Sequence, residues 1–245
     1  MLSEPVTHHT FLLRATPLAE PGQEPMRVSL TCKPGCRLAE GIDAQGNFVY
    51  QGNIEEKHTF FSFCSTGEVA VNARLQNLSE CPPYYRFATP LTELKGELAE
   101  YFFANRLAAG ALECAEHWMT KLKTDFHYEK GVTTTETSAS EAWNLGSGVC
   151  QDFAHLLLTL LRAQGFGCRY VAGLMVGEGA SHAWVEVFDG KGWVGVDPTH
   201  SRFCNENYVK ISRGPDFSYC ALERGVFLGT AEQTMHSRCS LVEIG

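Results

Sequence analysis

Residues 147–157 read SGVCQDFAHLL and continue as LTLLRAQG to Gly165, so a glycine-containing approach gives way at Cys150 to a strongly apolar segment. Phe153, Leu156, Leu157, Leu160 and Leu161 recur at the spacing of one helical face, which predicts a helix from about Cys150 to Gln164 with Gly165 as its stop. A thiol in the first turn of such a helix faces amide donors with no intrahelical partner and the positive end of the helix dipole, and both favour thiolate over thiol. Gly146 and Gly148 let the approach bend sharply and leave room for a substrate backbone. Cys150 is therefore a candidate nucleophile, the competing reading being a small buried core residue, as free cysteines often are.

A thiol nucleophile needs a base, and residues 181–200, SHAWVEVFDGKGWVGVDPTH, contain one on a hairpin pattern. If Asp189-Gly190 forms a two-residue loop, Phe188 faces Lys191, Glu186 faces Trp193, Trp184 faces Gly195 and His182 faces Asp197. A register shifted by two places His182 opposite Thr199 and leaves Asp197 a diagonal neighbour on the same face. A one-residue bulge would part the two faces. Strand histidines are commonly structural, but a carboxylate beside this one would fix one ring nitrogen as N–H and aim the other at a thiol.

Upstream the pattern changes. MRVSLTCK (residues 26–33) alternates Met26, Val28, Leu30 and Cys32 against polar neighbours, GEVAVNARLQ (residues 67–76) repeats the alternation through Val69, Val71, Ala73 and Leu75, and DAQGNFVYQG carries a turn at Gly46-Asn47. These strands predict an antiparallel β-sandwich. Prolines in CPPYYRFATP (residues 81–90) mark a boundary, giving an N-terminal β domain over residues 1–88 and a second domain over residues 89–245. Residues 91–110 and 111–131 have helix composition, and Ser138 with Glu141 has capping-box spacing for a short helix ahead of the cysteine.

Composition narrows the chemistry further. With 245 residues, 44% of them hydrophobic, the chain can bury a sizeable core, and its net charge of −8 without basic runs argues against a nucleic-acid partner. Residues 1–17 lack the features of a secretory leader and LLLTLL is too short to span a bilayer, so a cytoplasmic location and no membrane association are expected. The ten cysteines are then expected as thiols. Cys32 and Cys36 are spaced C-x3-C with no second ligand pair at zinc-site spacing, and Cys32 falls on the apolar strand face, which favours core packing over a metal. There is no EF-hand loop and no phosphate or dinucleotide motif; GEGASH (residues 177–182) reads as a loop beside the cleft. No cofactor or metal is expected.

Together these segments resemble the bacterial transglutaminase-like superfamily of cysteine peptidases. GSGVCQDFAHLLLTLLRAQGFGCRYVAG (residues 146–173) resembles its nucleophile helix and following strand, SHAWVEVF its histidine strand and GWVGVDPTH its aspartate strand. The first half is similar to the β-rich domain that precedes the core in many bacterial members. The resemblance implies a papain-like α+β core, a nucleophile helix packed on an antiparallel sheet. It also implies a catalytic triad of Cys150 as nucleophile, His182 as base and later acid, and Asp197 as orienting carboxylate. The implied activity is thiol-dependent amide hydrolysis of a peptide or carboxamide substrate through a thioester intermediate. Transglutaminase-type transfer to an amine and a catalytically silent scaffold are the alternatives, and the N-terminal domain is open to recruiting a protein partner. The approach LGSGVC departs from the arginine-glycine-glycine approach of the arylamine acyltransferases, and Gln151 stands where bacterial relatives often carry arginine.

The backbone N–H of Cys150 is the natural oxyanion donor, with Trp143, Asn144 and Gln151 near enough in sequence to supply a second. Asp152 reads as a first-turn stabiliser or loop anchor rather than a catalytic group. His155, about 140° around the helix from Cys150, is expected to point away from it. His200 suits either the cleft or a surface turn, Trp184 and Trp193 either a substrate wall or the core. Cys168, Cys204, Cys220 and Cys239 are read as structural.

Overall fold

The computed structural model describes residues 1–177 and 179–244. Glu178 of the GEGASH loop and Gly245, the last position of the expected second domain, lie outside the described residues.

Strands β1 (Thr7–Leu13), β2 (Gln23–Lys33), β3 (Leu38–Ile42), β4 (Phe48–Ile54) and β5 (Ser62–Val71) occupy the first part of the chain. β1, β4 and β3 lie side by side, while β2 and β5 pair separately. Phe11, Leu13, Ala15 and Ile54 are buried against Leu30, Cys32, Leu38 and Phe63, so the two layers close on one apolar seam. Val28, Leu30 and Cys32 alternate as expected, but Met26 is exposed. Arg27 adopts φ of 50° and the ladder slips between Met26 and Ser29, and this bulge turns Met26 off the shared face. β5 stops at Val71 rather than running on through Ala73 and Leu75. Asn72 accepts from the amides of Arg74 (on Oδ1) and Leu75 (on its carbonyl), which bends the chain there.

Beyond two short 3-10 turns at Pro83–Arg86 and Pro90–Thr92 come α1 (Gly96–Asn105), α2 (Ala111–Asp125), β6 (His127–Tyr128), α3 (Ala139–Leu145), β7 (Ser147–Gly148) and α4 (Cys150–Ala163). They are followed by β8 (Cys168–Met175), β9 (His182–Phe188), β10 (Trp193–Asp197), β11 (Arg202–Phe203), β12 (Tyr208–Gly214), α5 (Phe217–Cys220) and β13 (Glu223–Leu228). The capping box at Ser138 is formed: Glu141 N–H donates to Ser138 Oγ and the Ser138 amide donates to Glu141 Oε2 at 2.8 Å.

The second sheet has the antiparallel order β11-β10-β9-β8-β12. α4 packs against β8 and β9 and against α2 and α3. It is therefore buried nearly all round over residues 152–162, including a polar face of Asp152, His155, Thr159 and Arg162, rather than along the single expected apolar stripe. This is the helix-on-sheet α+β core that the cysteine segment implies. Arg162, near its C-terminal end, is buried and donates to the carbonyls of Tyr85, Cys168 and Pro215 and to Thr92 Oγ1, fastening the helix to the segments around it.

The two halves interlock. β13, which follows the second sheet in the chain, pairs with β1, so the first sheet has the order β13-β1-β4-β3. Strand β12 at the border of the second sheet is met by two amide side chains from the first half. Gln23 accepts from Lys210 N–H at 2.7 Å and donates to the Lys210 carbonyl at 2.8 Å. Asn47 does the same to Arg213, at 2.8 Å each way. No helix among the described residues is long and apolar enough to cross a membrane.

Candidate active site

The approach to Cys150 is held as a strand. Ser147 and Gly148 pair in parallel with His127 and Tyr128, and Glu129 N–H donates to the Gly148 carbonyl at 2.8 Å. Gly146 ends α3 with φ of 72°, a conformation costly for any other residue type. The Asp152 carboxylate is buried and reaches back: its Oδ2 accepts from Val149 N–H at 2.7 Å and from Thr133 Oγ1 at 2.7 Å. Burial pushes the Asp152 carboxyl up, while these donors pull against the shift. Asp152 thus anchors the loop that presents Cys150. A Cβ at Gly148 would sit 2.4 Å from Asp152 Oδ2. Gly148→Ala is accordingly expected to cost about 1–3 kcal/mol of stability and to slow alkylation of Cys150, checked by thermal unfolding together with iodoacetamide labelling followed by intact mass.

The hairpin register differs from the two-residue loop. Trp193 pairs with Phe188, Gly195 with Glu186 and Val196 with Val185. Asp189 Oδ1 accepts from Lys191 and Gly192 N–H at 2.8 Å each, and the Asp189 N–H bonds the Gly192 carbonyl at 3.0 Å, so the side chain of Asp189 closes a longer turn. His182 is therefore not directly opposite Asp197. Because the shift is by two, side-chain parity is kept and the two residues share a face as diagonal neighbours.

They meet there. His182 Nε2 lies 2.8 Å from Asp197 Oδ2, and Cys150 is near enough to contribute to the electrostatics of the same imidazole. Asp197 is fully buried, with five donors on its carboxylate. Oδ2 takes His182, His200 Nδ1 at 2.8 Å and the Tyr208 hydroxyl at 2.7 Å, while Oδ1 takes the amides of Thr199 at 2.9 Å and His200 at 3.2 Å. Burial alone would raise the Asp197 carboxyl, but the His182 ring, Tyr208 and His200 outweigh it and hold the group at about 2. Burial likewise opposes charge on His182, and the Asp197 carboxylate and Cys150 overcome it to raise the imidazole to about 9.

His200, expected in either a cleft or a surface turn, is on Asp197, while Trp184 and Trp193 are buried. Trp184 packs edge-on to Tyr208 at 5.3 Å and the Arg169 guanidinium lies 3.9 Å over Trp193. His155 is fully buried; its Nε2 accepts from Phe217 N–H at 3.2 Å, and burial pushes it down to about 4, so it is a neutral packing residue. Gln151 Nε2 donates to the Thr135 carbonyl at 3.4 Å, and the Trp143 ring packs tilted against Tyr101 at 4.3 Å. Cys168 and Cys220 are buried with their thiols pushed up, which suits the structural reading. His182 Nε2, Asp197 Oδ2 and His200 Nδ1 lie within 4.8 Å of one another, a convergence that suits a cation, but their hydrogen bonds to one another use the lone pairs that coordination would need. Tyr208 and Arg202, which stands behind it, were not singled out from the sequence; both lie past the histidine and aspartate segments on strands whose neighbours only the sheet order reveals.

The Transglutaminase-like superfamily matches residues 98–198, which include Cys150, His182 and Asp197, and the Bacterial transglutaminase-like N-terminal region matches residues 2–70. The chain belongs to the bacterial transglutaminase-like superfamily. Membership in this superfamily points to cysteine-peptidase or transglutaminase-type chemistry. An uncharacterized protein of Mycobacterium leprae is 27% identical over 242 residues, covering 88% of this chain and 85% of that protein. One of Mycobacterium bovis is 33% identical over 132 residues, 47% of this chain, and the match spans only 42% of the relative's length. Among solved structures, "a Putative Cysteine Protease from Cytophaga hutchinsonii" shares the fold at a TM-score of 0.76 and 23% identity, covering 98% of this chain and 88% of that one. The periplasmic domain of TgpA from Pseudomonas aeruginosa matches more distantly, at a TM-score of 0.43 and 18% identity over 76% of this chain and 67% of that one. The cytoplasmic expectation does not stand. It rested on the lack of a leader in residues 1–17, which does not assign a compartment.

Proposed function

We propose that this chain is a thiol-dependent amide hydrolase, a cysteine peptidase or amidase, with Cys150 as nucleophile, His182 as proton carrier and Asp197 as orienting carboxylate. The observation that supports this reading is the His182 ring, whose Nε2 is committed to the buried Asp197 carboxylate at 2.8 Å, with Cys150 among the groups that favour its charged form. The imidazolium of His182 holds the proton that the thiol has given up, and the sulfur attacks the carboxamide carbonyl. The resulting oxyanion is met by the Cys150 backbone N–H, a first-turn amide with no intrahelical acceptor. As the C–N bond breaks, His182 returns its proton to the leaving amine, and a thioester remains. Water then gives a proton to His182, attacks the thioester and releases the acid, and the thiol is restored. In this reading residues 1–88 form a β-rich accessory domain and residues 89–245 carry the chemistry, with β13 returning to the first sheet.

Since His182 titrates at about 9, the imidazolium form dominates at neutral pH and is the acid the leaving amine needs. kcat/KM is expected to fall about tenfold per pH unit above pH 9 as that proton is lost, read from initial rates across pH 6–11. Folding stability follows the same group. Its folded value lies above the reference of 6.5, so its contribution is complete below pH 6.5 and disappears as pH rises through about 9.

Acyl transfer to an amine uses the same thioester. Intact mass of the chain after exposure to peptide and primary-carboxamide substrates, with and without an added primary amine, separates the readings. An adduct on Cys150 that gives only acid supports hydrolysis, and one that gives amide at high amine concentration supports transferase activity. If no adduct forms and Cys150 reacts with iodoacetamide no faster than a free model thiol, the chain is a scaffold.

A further inference from the structure

We infer that Tyr208, held by Arg202, is a positioning residue that shares Asp197 with His182 and so sets the pH at which the imidazolium gives up its proton. The inference rests on the role proposed for His182. Its ground is the direction of the hydrogen bonds. Arg202 Nε can only donate, and it does so to the Tyr208 oxygen at 2.9 Å. The Tyr208 proton therefore points the other way, to Asp197 Oδ2 at 2.7 Å. The chain Arg202 to Tyr208 to Asp197 thus runs in one sense and ends on the oxygen that also holds His182.

Tyr208 is fixed in that pose. It is 4% exposed, its ring packs edge-on to Trp184 at 5.3 Å, and Arg202 also reaches Met175 Sδ at 3.1 Å. Tyr208 starts β12, with β8 between it and the histidine strand, so it crosses the top of the sheet to arrive at the end of β10. In a buried site each donor that a carboxylate accepts reduces the negative charge it presents to the others. Tyr208 thereby limits how strongly Asp197 holds the proton on His182. His200 is a second such donor from the turn after β10, but it is one-third exposed, so water can take its place. The other titratable or charged groups facing this pair among the described residues are Cys150 from α4, Arg202 on β11 and Cys204 just beyond it.

The test is NMR titration of the His182 imidazole in the full chain, uniformly labelled at histidine, with kcat/KM against pH measured on the same samples. Tyr208→Phe is expected to raise the His182 midpoint by roughly half a pH unit, and Arg202→Gln to raise it by less in the same direction. The alkaline limb of kcat/KM should move with the NMR midpoint, with KM unchanged. An unmoved or lower midpoint in Tyr208→Phe overturns the inference, as does an equal or larger rise in His200→Asn. The two proposals fail separately. A raised midpoint in a chain that never acylates sinks the hydrolase and leaves Tyr208 in place, whereas an active chain with an unmoved midpoint does the reverse.

Discussion

Cys150→Ser is expected to reduce amide hydrolysis by at least about ten-thousandfold in kcat/KM while leaving the melting temperature within a degree or two of the parent. Sulfur and oxygen occupy the same place at the start of α4, so packing hardly changes. The chemistry changes greatly, because a hydroxyl gives up its proton far less readily than a thiol and His182 is already largely protonated at neutral pH. Other cysteines do not substitute for it. Burial raises the thiols of Cys168, Cys204 and Cys220, and none of them begins a helix. Cleavage assays and differential scanning calorimetry on the two proteins provide the check; a loss below about tenfold would place the nucleophile elsewhere.

The largest expected effect on stability lies away from the thiol. Arg162→Met is expected to cost about 4 kcal/mol or more, since removing a buried donor leaves each stranded acceptor with a penalty of about 1–3 kcal/mol. The guanidinium holds the Tyr85 carbonyl and Thr92 before α1, the Cys168 carbonyl at the start of β8 and the Pro215 carbonyl after β12. Methionine fills much of the volume but bonds none of them. Such a loss approaches the total stability of an ordinary domain, so the variant should unfold at markedly lower urea than the parent. A midpoint within the error of the parent would mean that solvent satisfies these acceptors.

The parts of this molecule that depend on local pattern were legible. The helix at Cys150 and the capping box at Ser138 follow from periodicity and spacing within a few turns of chain, and His182 and Asp197 share a face because strand parity survives a shift of two. Of the two registers open at the hairpin, the one shifted by two forms because Asp189 captures two amides with its own side chain, a competition that an Asp-Gly pair does not announce. Longer-range features were hidden for a different reason. Tyr208 reaches Asp197 only because β12 is folded next to β8, and β13 joins β1 although they lie at opposite ends of the sequence. Arg162 sits at a helical position where its charge suggests a solvent-facing end, yet four separate acceptors converge on it.

The amide pairs that Gln23 and Asn47 make with Lys210 and Arg213 have a practical consequence. A fragment cut at residue 89 would bare the outer hydrogen-bonding groups of β12 and strand β13 without its neighbour. Exposed backbone of that kind is a template for joining other chains. Such a fragment should form oligomers or precipitate as its concentration rises, because in the intact chain the first half covers those edges.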